Sequence, residues 1–271
     1  MKIYGPDGKE KTFAEGTSLQ EVGTAYQYRY QSPIAVAALN GALTPLQVIP
    51  QDGDHVDFYE LDSEMGYRAY IATFQFVLIA AMAKRRPEIR LEVMNTFGSG
   101  IYCDIKNKIF LSKYDLEDVS AYMEQMIRNK EPIGLESICQ SKAASYIKPQ
   151  FYQDEAPLLA VLPEDAKIYI YYLEGESAYF VTPLLPDISY LKKFELVWMN
   201  TGILLRYGGR ENLNTLRPYH ERKKLASVYG EAERLGRVIH CPTVAALNWY
   251  IKQGNSRGII PMCEAYHEKR I

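Results

Sequence analysis

The sequence lacks the features that mark several common classes of protein. Its cysteines lie far apart and form no Cys-x-x-Cys pair: Cys103, Cys139, Cys241 and Cys263. Disulfide scaffolds and zinc ribbons need closely paired cysteines, so we expect reduced thiols and a cytoplasmic location. The N-terminus has no apolar stretch behind its charged residues, which argues against a secretory signal.

A strong net charge and a phosphate-binding motif are also lacking. With 31 basic and 33 acidic residues the formal net charge is -2, so a nucleic-acid partner would need a local basic patch. The segment Gly5 to Glu10 has two residues between its glycines, and Glu10 follows Lys9. A P-loop needs four residues there and a Ser or Thr after the lysine. We therefore predict no phosphoryl transfer, and neither metal nor cofactor, in this chain.

The longest apolar run, from Tyr70 to Lys84, is the strongest structural signal. A helix that is apolar on nearly every side lies in the middle of a domain or in a membrane. The run is shorter than the roughly 20 residues that span a bilayer. The sequence therefore predicts a buried central helix and no membrane partner.

The first 61 residues predict a small β-rich domain. Asp7-Gly8 and Asn40-Gly41 are hairpin signals, and Ser18 with Glu21 forms a capping-box pattern before a short helix. The order strand–strand–helix–strand–strand predicts a β-grasp, ubiquitin-like fold. The segment resembles a TGS domain, found at the N-terminus of threonyl-tRNA synthetases and several other proteins, through Phe13, Gly16, Thr17, Ala35, Leu39, Asn40, Gly41, Gly53, Val56 and Phe58.

Residues 66–235 alternate between strand and helix patterns, which predicts an α+β domain. After the central helix come strands at 90–94, 101–105 and 108–111, a helix begun by Asp115, a helix over 136–146, and hairpins over 168–181 and 194–207. This order resembles the second N-terminal domain of threonyl-tRNA synthetase. Helices at about 222–235, 243–253 and 259–269 follow, so residues 236–271 are expected to form a helical tail.

The resemblance to the synthetase domain implies a site that edits mischarged tRNA. There, a His-x-x-x-His pair lies on the central helix and a Cys-x-x-x-His pair precedes a late strand. In this sequence the corresponding positions are Ala72, Phe76, Phe180 and Leu184, and a shift of one residue on the helix gives Thr73 and Val77. None of these side chains binds a metal or relays a proton near neutral pH. We therefore predict that the editing site is filled and inactive.

Basic residues cluster late in the chain. Arg206 and Arg210 flank Gly208-Gly209, whose backbone amides could approach an anion between two guanidinium groups. One interpretation is a phosphate, nucleotide or RNA contact formed by Lys192, Lys193, Arg206 and Arg210. The alternative is an exposed sheet edge that lysine and arginine protect from pairing.

The last third of the chain resembles a group of bacterial nucleoside kinases, often described as uridine-kinase-like. In these, a TGS domain and a synthetase-like domain precede a P-loop kinase domain. The matching segments are 194–196, 202–207, 231–239 and 264–271. The resemblance implies that this chain is an N-terminal half, with ATP and magnesium bound only by a kinase domain beyond it.

Two functions follow from these patterns. In the first, the chain is a non-catalytic module that binds a nucleoside or nucleotide, or regulates its own C-terminal kinase domain. In the second, it is an RNA- or tRNA-binding module related to threonyl-tRNA synthetase, with editing lost. Association with a second copy is left open.

Overall fold

A computed structural model describes residues 1–98, 100–143, 145–146, 159, 162–199, 202–219 and 223–269. Antiparallel sheets and separate helices confirm the predicted α+β class. The chain forms two compact units, Met1–Leu135 with Tyr171–Pro218, and Glu136–Ile170 with Tyr219–Ile271. The domain bounds expected at residues 61 and 235 stay predictions.

The N-terminal elements occur in the expected order. They are β1 (Lys2–Tyr4), β2 (Glu10–Thr12), α1 (Leu19–Thr24), β3 (Ile34–Leu39), β4 (Ala42–Thr44) and β5 (Val56–Glu60). β1 pairs with β2, and the other strands form a sheet in the order β4-β3-β5. A parallel bridge joins Tyr4 to His55, as a β-grasp requires between its first and last strands. The predicted capping box is present, because Ser18 Oγ accepts the Glu21 N–H and the Glu21 carboxylate accepts the Ser18 N–H.

The central helix, α2, spans Glu64–Arg85 and begins six residues before the predicted apolar run. The helix begins after its N-cap Ser63, whose Oγ accepts the Gly66 N–H at 3.1 Å. The apolar run therefore predicts the interior of the helix but not its first residues. By length and composition α2 could cross a membrane, but 67% of its most apolar window is buried inside the protein. It is a core helix.

The remaining elements follow in chain order. They are β6 (Leu91–Phe97), β7 (Gly100–Ile105), α3 (Lys113–Asn129), β8 (Gly134–Cys139), α4 (Gln140–Ala143), β9 (Lys167–Leu173), β10 (Glu176–Tyr179), β11 (Phe194–Met199), β12 (Gly202–Tyr207), α5 (Lys223–Val238), α6 (Val244–Lys252) and α7 (Ile259–Glu268). Strand orders are β11-β12-β7-β6 and β10-β9-β8.

Helix α2 packs on the four-stranded sheet through aromatic side chains. Phe74 lies with its ring centroid 5.7 Å from that of Phe194 on β11 and 6.0 Å from that of Tyr207 on β12. Because β12 is central in the sheet and fully buried, this contact covers the middle of the sheet. The packing fixes the ends of β11 and β12 relative to the helix.

Three predictions of local structure need correction. The helix expected over 136–146 is wrong in its first part, where β8 pairs in a sheet. Only the short helix α4 lies within that range, and residue 144 lies outside the described part. The strand expected at 108–111 is wrong, since those residues form a loop. α3 begins at Lys113, because Ser112 is its N-cap and Asp115 closes the capping box from the third position. The helices expected near 222–235, 243–253 and 259–269 are confirmed within a few residues.

Arginines at the end of α2 bind carboxylates at the start of α3. Arg85 holds Asp118 through two hydrogen bonds of 3.0 and 2.6 Å, and Arg86 Nε donates to Asp115 at 2.9 Å. Hydrogen bonds from Ser112 to the Asp115 carboxylate, and next Arg86, lower the pKa of Asp115 to about 2. The two helices are therefore joined by interactions that require ionised carboxylates.

This junction predicts a defined loss of stability in acid. The pKa of Asp115 is lower in the folded protein than its ordinary 3.8, so the interaction stabilises the fold above that value and is lost as pH falls towards about 2. Urea unfolding is measured at several pH values between about 5 and about 2 for the unaltered protein and for an Asp115→Asn variant. The variant should take up fewer protons on unfolding than the unaltered protein, by at most about one. An identical pH dependence in both proteins would contradict the assignment.

Candidate functional site

Two of the four predicted basic residues, Lys192 and Arg210, line the same cleft of about 500 Å³. The remaining walls come from distant parts of the first compact unit. They are residues 32–33 before β3, residues 61–62 after β5, and residues 211–214 in the loop after β12. The cleft is thus bounded on one side by the N-terminal β-grasp segment and on the other by connections of the four-stranded sheet.

Lys192 is positioned by the central helix. Its backbone N–H donates to Tyr70 Oη at 3.3 Å, and its ammonium donates to the Ser189 carbonyl at 3.4 Å. Tyr70 is fully buried, and this burial raises the pKa of its hydroxyl, which therefore stays protonated. The backbone of Lys192 is anchored while its side chain remains exposed at the cleft.

A tight loop brings Arg210 to the cleft. The Gly208 N–H donates to the Lys193 carbonyl at 3.3 Å, and the Gly208 carbonyl accepts from Tyr67 Oη at 2.9 Å. A Cβ on Gly208 would lie 2.1 Å from the Leu213 carbonyl oxygen, so the loop requires glycine at this position. Asn212 N–H closes the turn on the Gly209 carbonyl at 3.0 Å.

The charges in the cleft differ in how far they are already engaged. Arg210 is exposed and forms no ion pair with any residue that the structure describes. Glu211 is held by Arg217 at 2.9 Å, and a hydrogen bond from its own backbone, followed by Arg217, lowers the pKa of Glu211. Asp62 is an exposed carboxylate on the other wall. The cleft can therefore take an anion at Lys192 and Arg210 and accept a hydroxyl donor at Asp62.

The other two predicted residues do not line the cleft. Arg206 is only 6% exposed, and its guanidinium donates to Glu195 directly opposite on β11 and to the Arg217 carbonyl. Lys193 is exposed beside the cleft. Arg206 thus joins two strands and a loop, while Lys193 is exposed and does not line the cleft.

Sequence reasoning missed the partners of Lys192 and Arg210 in the cleft. Ser32 and Asp62 come from the N-terminal segment, and their sequence separation from Lys192 leaves no local signal. Asn212 and Asn214 follow Gly208-Gly209 directly, and two amides after a glycine pair could have indicated a polar binding loop.

Three of the four expected editing positions, Ala72, Phe76 and Leu184, are buried in the core, and the partly buried Phe180 packs on Phe76. Phe76 lies edge-to-face with Phe180, with ring centroids 5.5 Å apart, and Ala72 and Leu184 are buried. The Leu184 N–H donates to Tyr171 Oη at 3.2 Å. At the alternative helix position, Thr73 Oγ1 donates to the Ala69 carbonyl and accepts the Leu185 N–H. The hydroxyl of Thr73 is therefore committed to backbone hydrogen bonds.

Within the part of the chain that the structure describes, other chemically reactive groups do not gather at this core. Burial raises the pKa of the Cys103 thiol to about 12, so the thiol is protonated at neutral pH and is a poor nucleophile. Among the described residues, no three His, Cys, Asp or Glu side chains are placed to hold a metal ion together. The cleft of Lys192 and Arg210 is the better candidate for a functional site.

A Phe76→Ala variant tests the packing at the editing positions. Removing a fully buried ring that contacts Phe180 should lower the free energy of unfolding by roughly 3–5 kcal/mol. Phe110→Ala is the matched control, because that ring is 72% exposed and its loss should cost about 1 kcal/mol or less. Equal urea midpoints for the two variants would show that Phe76 does not fill a core position.

Comparison with known proteins shows similarity to threonine–tRNA ligases. The chain is 27% identical to that of Latilactobacillus sakei over 201 residues, which are 73% of this chain and 30% of the ligase. It is 24% identical to the Staphylococcus saprophyticus ligase over 199 residues and 23% identical to the Carboxydothermus hydrogenoformans ligase over 198 residues, again 73% of this chain. No protein-family model matches the chain.

The similarity covers most of this chain but a smaller part of each relative. The chain spans about 30% of the length of the curated ligases it matches. It therefore contains a region similar to threonyl-tRNA synthetases, as the order of its elements predicted.

Proposed function

We propose that this chain is a non-catalytic RNA-binding module related to the N-terminal part of threonyl-tRNA synthetases. The observation that supports the proposal most directly is the cleft of about 500 Å³, which is lined by Lys192 and by Arg210, a residue with no ion pair among the described residues. The relatives act on tRNA, as their name states, so tRNA is the first RNA to test.

The groups around the cleft suit RNA better than an isolated anion. Lys192 and Arg210 can contact phosphates, which position a nucleic acid. Asn212, Asn214 and Ser32 add hydrogen-bonding groups for sugars and base edges. Asp62 can accept a hydrogen bond from a ribose 2′-hydroxyl, which DNA lacks.

The proposal includes the loss of editing. Hydrolysis of a mischarged tRNA needs groups that activate water, and Phe76 packed on Phe180 supplies none. Residues 1–61 act as a TGS domain in this proposal, and the protein works in the cytoplasm. Incubation with threonine tRNA that is mischarged with serine tests the loss of editing. Deacylation faster than the spontaneous rate would contradict it.

A second candidate is the module of a nucleoside-kinase-like protein. It is favoured by the size of the cleft, since pockets of about 300–1,000 Å³ accept ligands as large as a mononucleotide. In that case the cleft binds a nucleotide and regulates a kinase domain that holds ATP and magnesium. Direct titration of the protein with UMP separates the two candidates, because only the second predicts saturable binding of the mononucleotide at low concentration.

Substitutions in the cleft test RNA binding. Lys192→Ala and Arg210→Ala should each weaken binding of a fluorescent threonine tRNA by about tenfold, because each removes a phosphate contact. Each should also reduce the slope of log affinity against log salt by about 1. Anisotropy titrations between about 50 and about 200 mM salt measure both quantities.

Lys193→Ala is the matched control for this experiment. Lys193 is an exposed lysine next in sequence to Lys192 but does not line the cleft, so its loss should leave affinity nearly unchanged. No binding at low salt by the unaltered protein, or equal losses for Lys192 and Lys193, would overturn the proposal.

A further inference from the structure

A second surface, which we name the aromatic patch, lies between β7 and α3. It consists of Phe110, Tyr114 and Trp198 with Lys108 and Lys113. Phe110 is 72% and Tyr114 81% exposed, and the Trp198 ring on β11 is partly buried. Isolated exposed apolar residues are normal, but several large rings beside lysines are a feature of binding surfaces.

The rings of the patch are held by rigid anchors. Phe110 lies edge-to-face against Trp198, with ring centroids 5.2 Å apart. The next residue, Leu111, is buried, and Ser112 is fixed by the capping box of α3. Tyr114 lies in the first turn of that helix. Phe110 and Tyr114 therefore present exposed rings on an ordered backbone, which lowers the entropy cost of binding.

Charge around the patch favours an anionic partner. Asp115 and Asp118 are held by Arg86 and Arg85, and Glu92 is held by Lys106. Lys108 forms no ion pair within the described residues. Lys113 lies 3.6 Å from Glu117, but both side chains are largely exposed, so this pair is weak. Lys108 and Lys113, both exposed, thus flank Phe110 in sequence with at most one weak ion pair among the described residues.

We infer that the aromatic patch is a stacking platform for unpaired RNA bases, separate from the cleft of Lys192 and Arg210. Aromatic rings stack on the faces of unpaired bases while neighbouring lysines contact the phosphates. This inference rests on the proposed RNA-binding function and assigns the single-stranded part of the ligand to this surface. Phe110 and Tyr114 are 72% and 81% exposed, so their outer faces are open to a ligand.

Binding of a labelled single-stranded 12-nucleotide RNA by the full chain tests the platform. Phe110→Ala and Tyr114→Ala should each weaken binding by about tenfold, the usual effect of losing one stacked base. Tyr28→Ala is the matched control, because Tyr28 is 77% exposed but lies in the N-terminal segment; its loss should change affinity less than twofold. Lys108→Ala should reduce the salt slope by about 0.7.

Fluorescence gives a second readout that does not depend on affinity alone. The chain has two tryptophans, Trp198 and Trp249, so a Trp249→Phe protein reports on Trp198 only. Saturation with the RNA should quench Trp198 emission, because a base stacked on Phe110 lies beside it. An unchanged emission spectrum at saturation would overturn the inference.

The outcomes separate failure of the platform from failure of the proposed function. RNA binding that is weakened about tenfold by Lys192→Ala and by Arg210→Ala but unaffected by Phe110→Ala and Tyr114→Ala overturns the platform alone. No RNA binding by the unaltered protein overturns both. If Phe110→Ala lowers the molecular mass measured by sedimentation and leaves RNA affinity unchanged, the patch is a contact between two copies and the inference is wrong.

Discussion

The burial of α2 is the constraint on which the rest of the first unit depends. Tyr70, Phe74 and Phe76 are fully enclosed, and burying each such side chain stabilises the fold by roughly 1.5–3 kcal/mol. A helix apolar on nearly all sides needs neighbours on all sides. The four-stranded sheet, α3 and strands β3 and β5 of the N-terminal segment supply them. The β-grasp segment also keeps a hydrophobic cluster of its own, which includes Ile3, Leu19 and Phe58.

Three hydroxyls on α2 hold the late segment of the chain in place through hydrogen bonds to its backbone. Tyr67, Tyr70 and Thr73 are spaced three residues apart, which places them along one side of the helix. Each meets a backbone group of the late segment: the Gly208 carbonyl, the Lys192 N–H and the Leu185 N–H. An editing enzyme would use this helix for imidazoles, whereas here its polar atoms position loops.

The sequence predicted what local patterns determine. The α+β class, the Ser18 capping box, the Asn40-Gly41 turn and the C-terminal helices follow from short-range rules, and the structure contains them. The local pattern at β8 predicts a helix, and only pairing with a strand distant in sequence makes the segment extended. Arg206 was grouped with Arg210, since only the register of β11 and β12 reveals Glu195 opposite it. The position of Asp62 at the cleft depends on contacts between segments that are distant in sequence, so no local pattern predicts it.

The buried thiol of Cys103 is a chemical probe for opening of the four-stranded sheet. It lies on β7, between β12 and β6, and has no exposed surface. A thiol reagent reaches it only when these strands separate, so its alkylation rate measures how often the centre of the sheet opens. Because α2 covers the same sheet, that rate would report whether a ligand in the cleft tightens the whole unit or only its own loops.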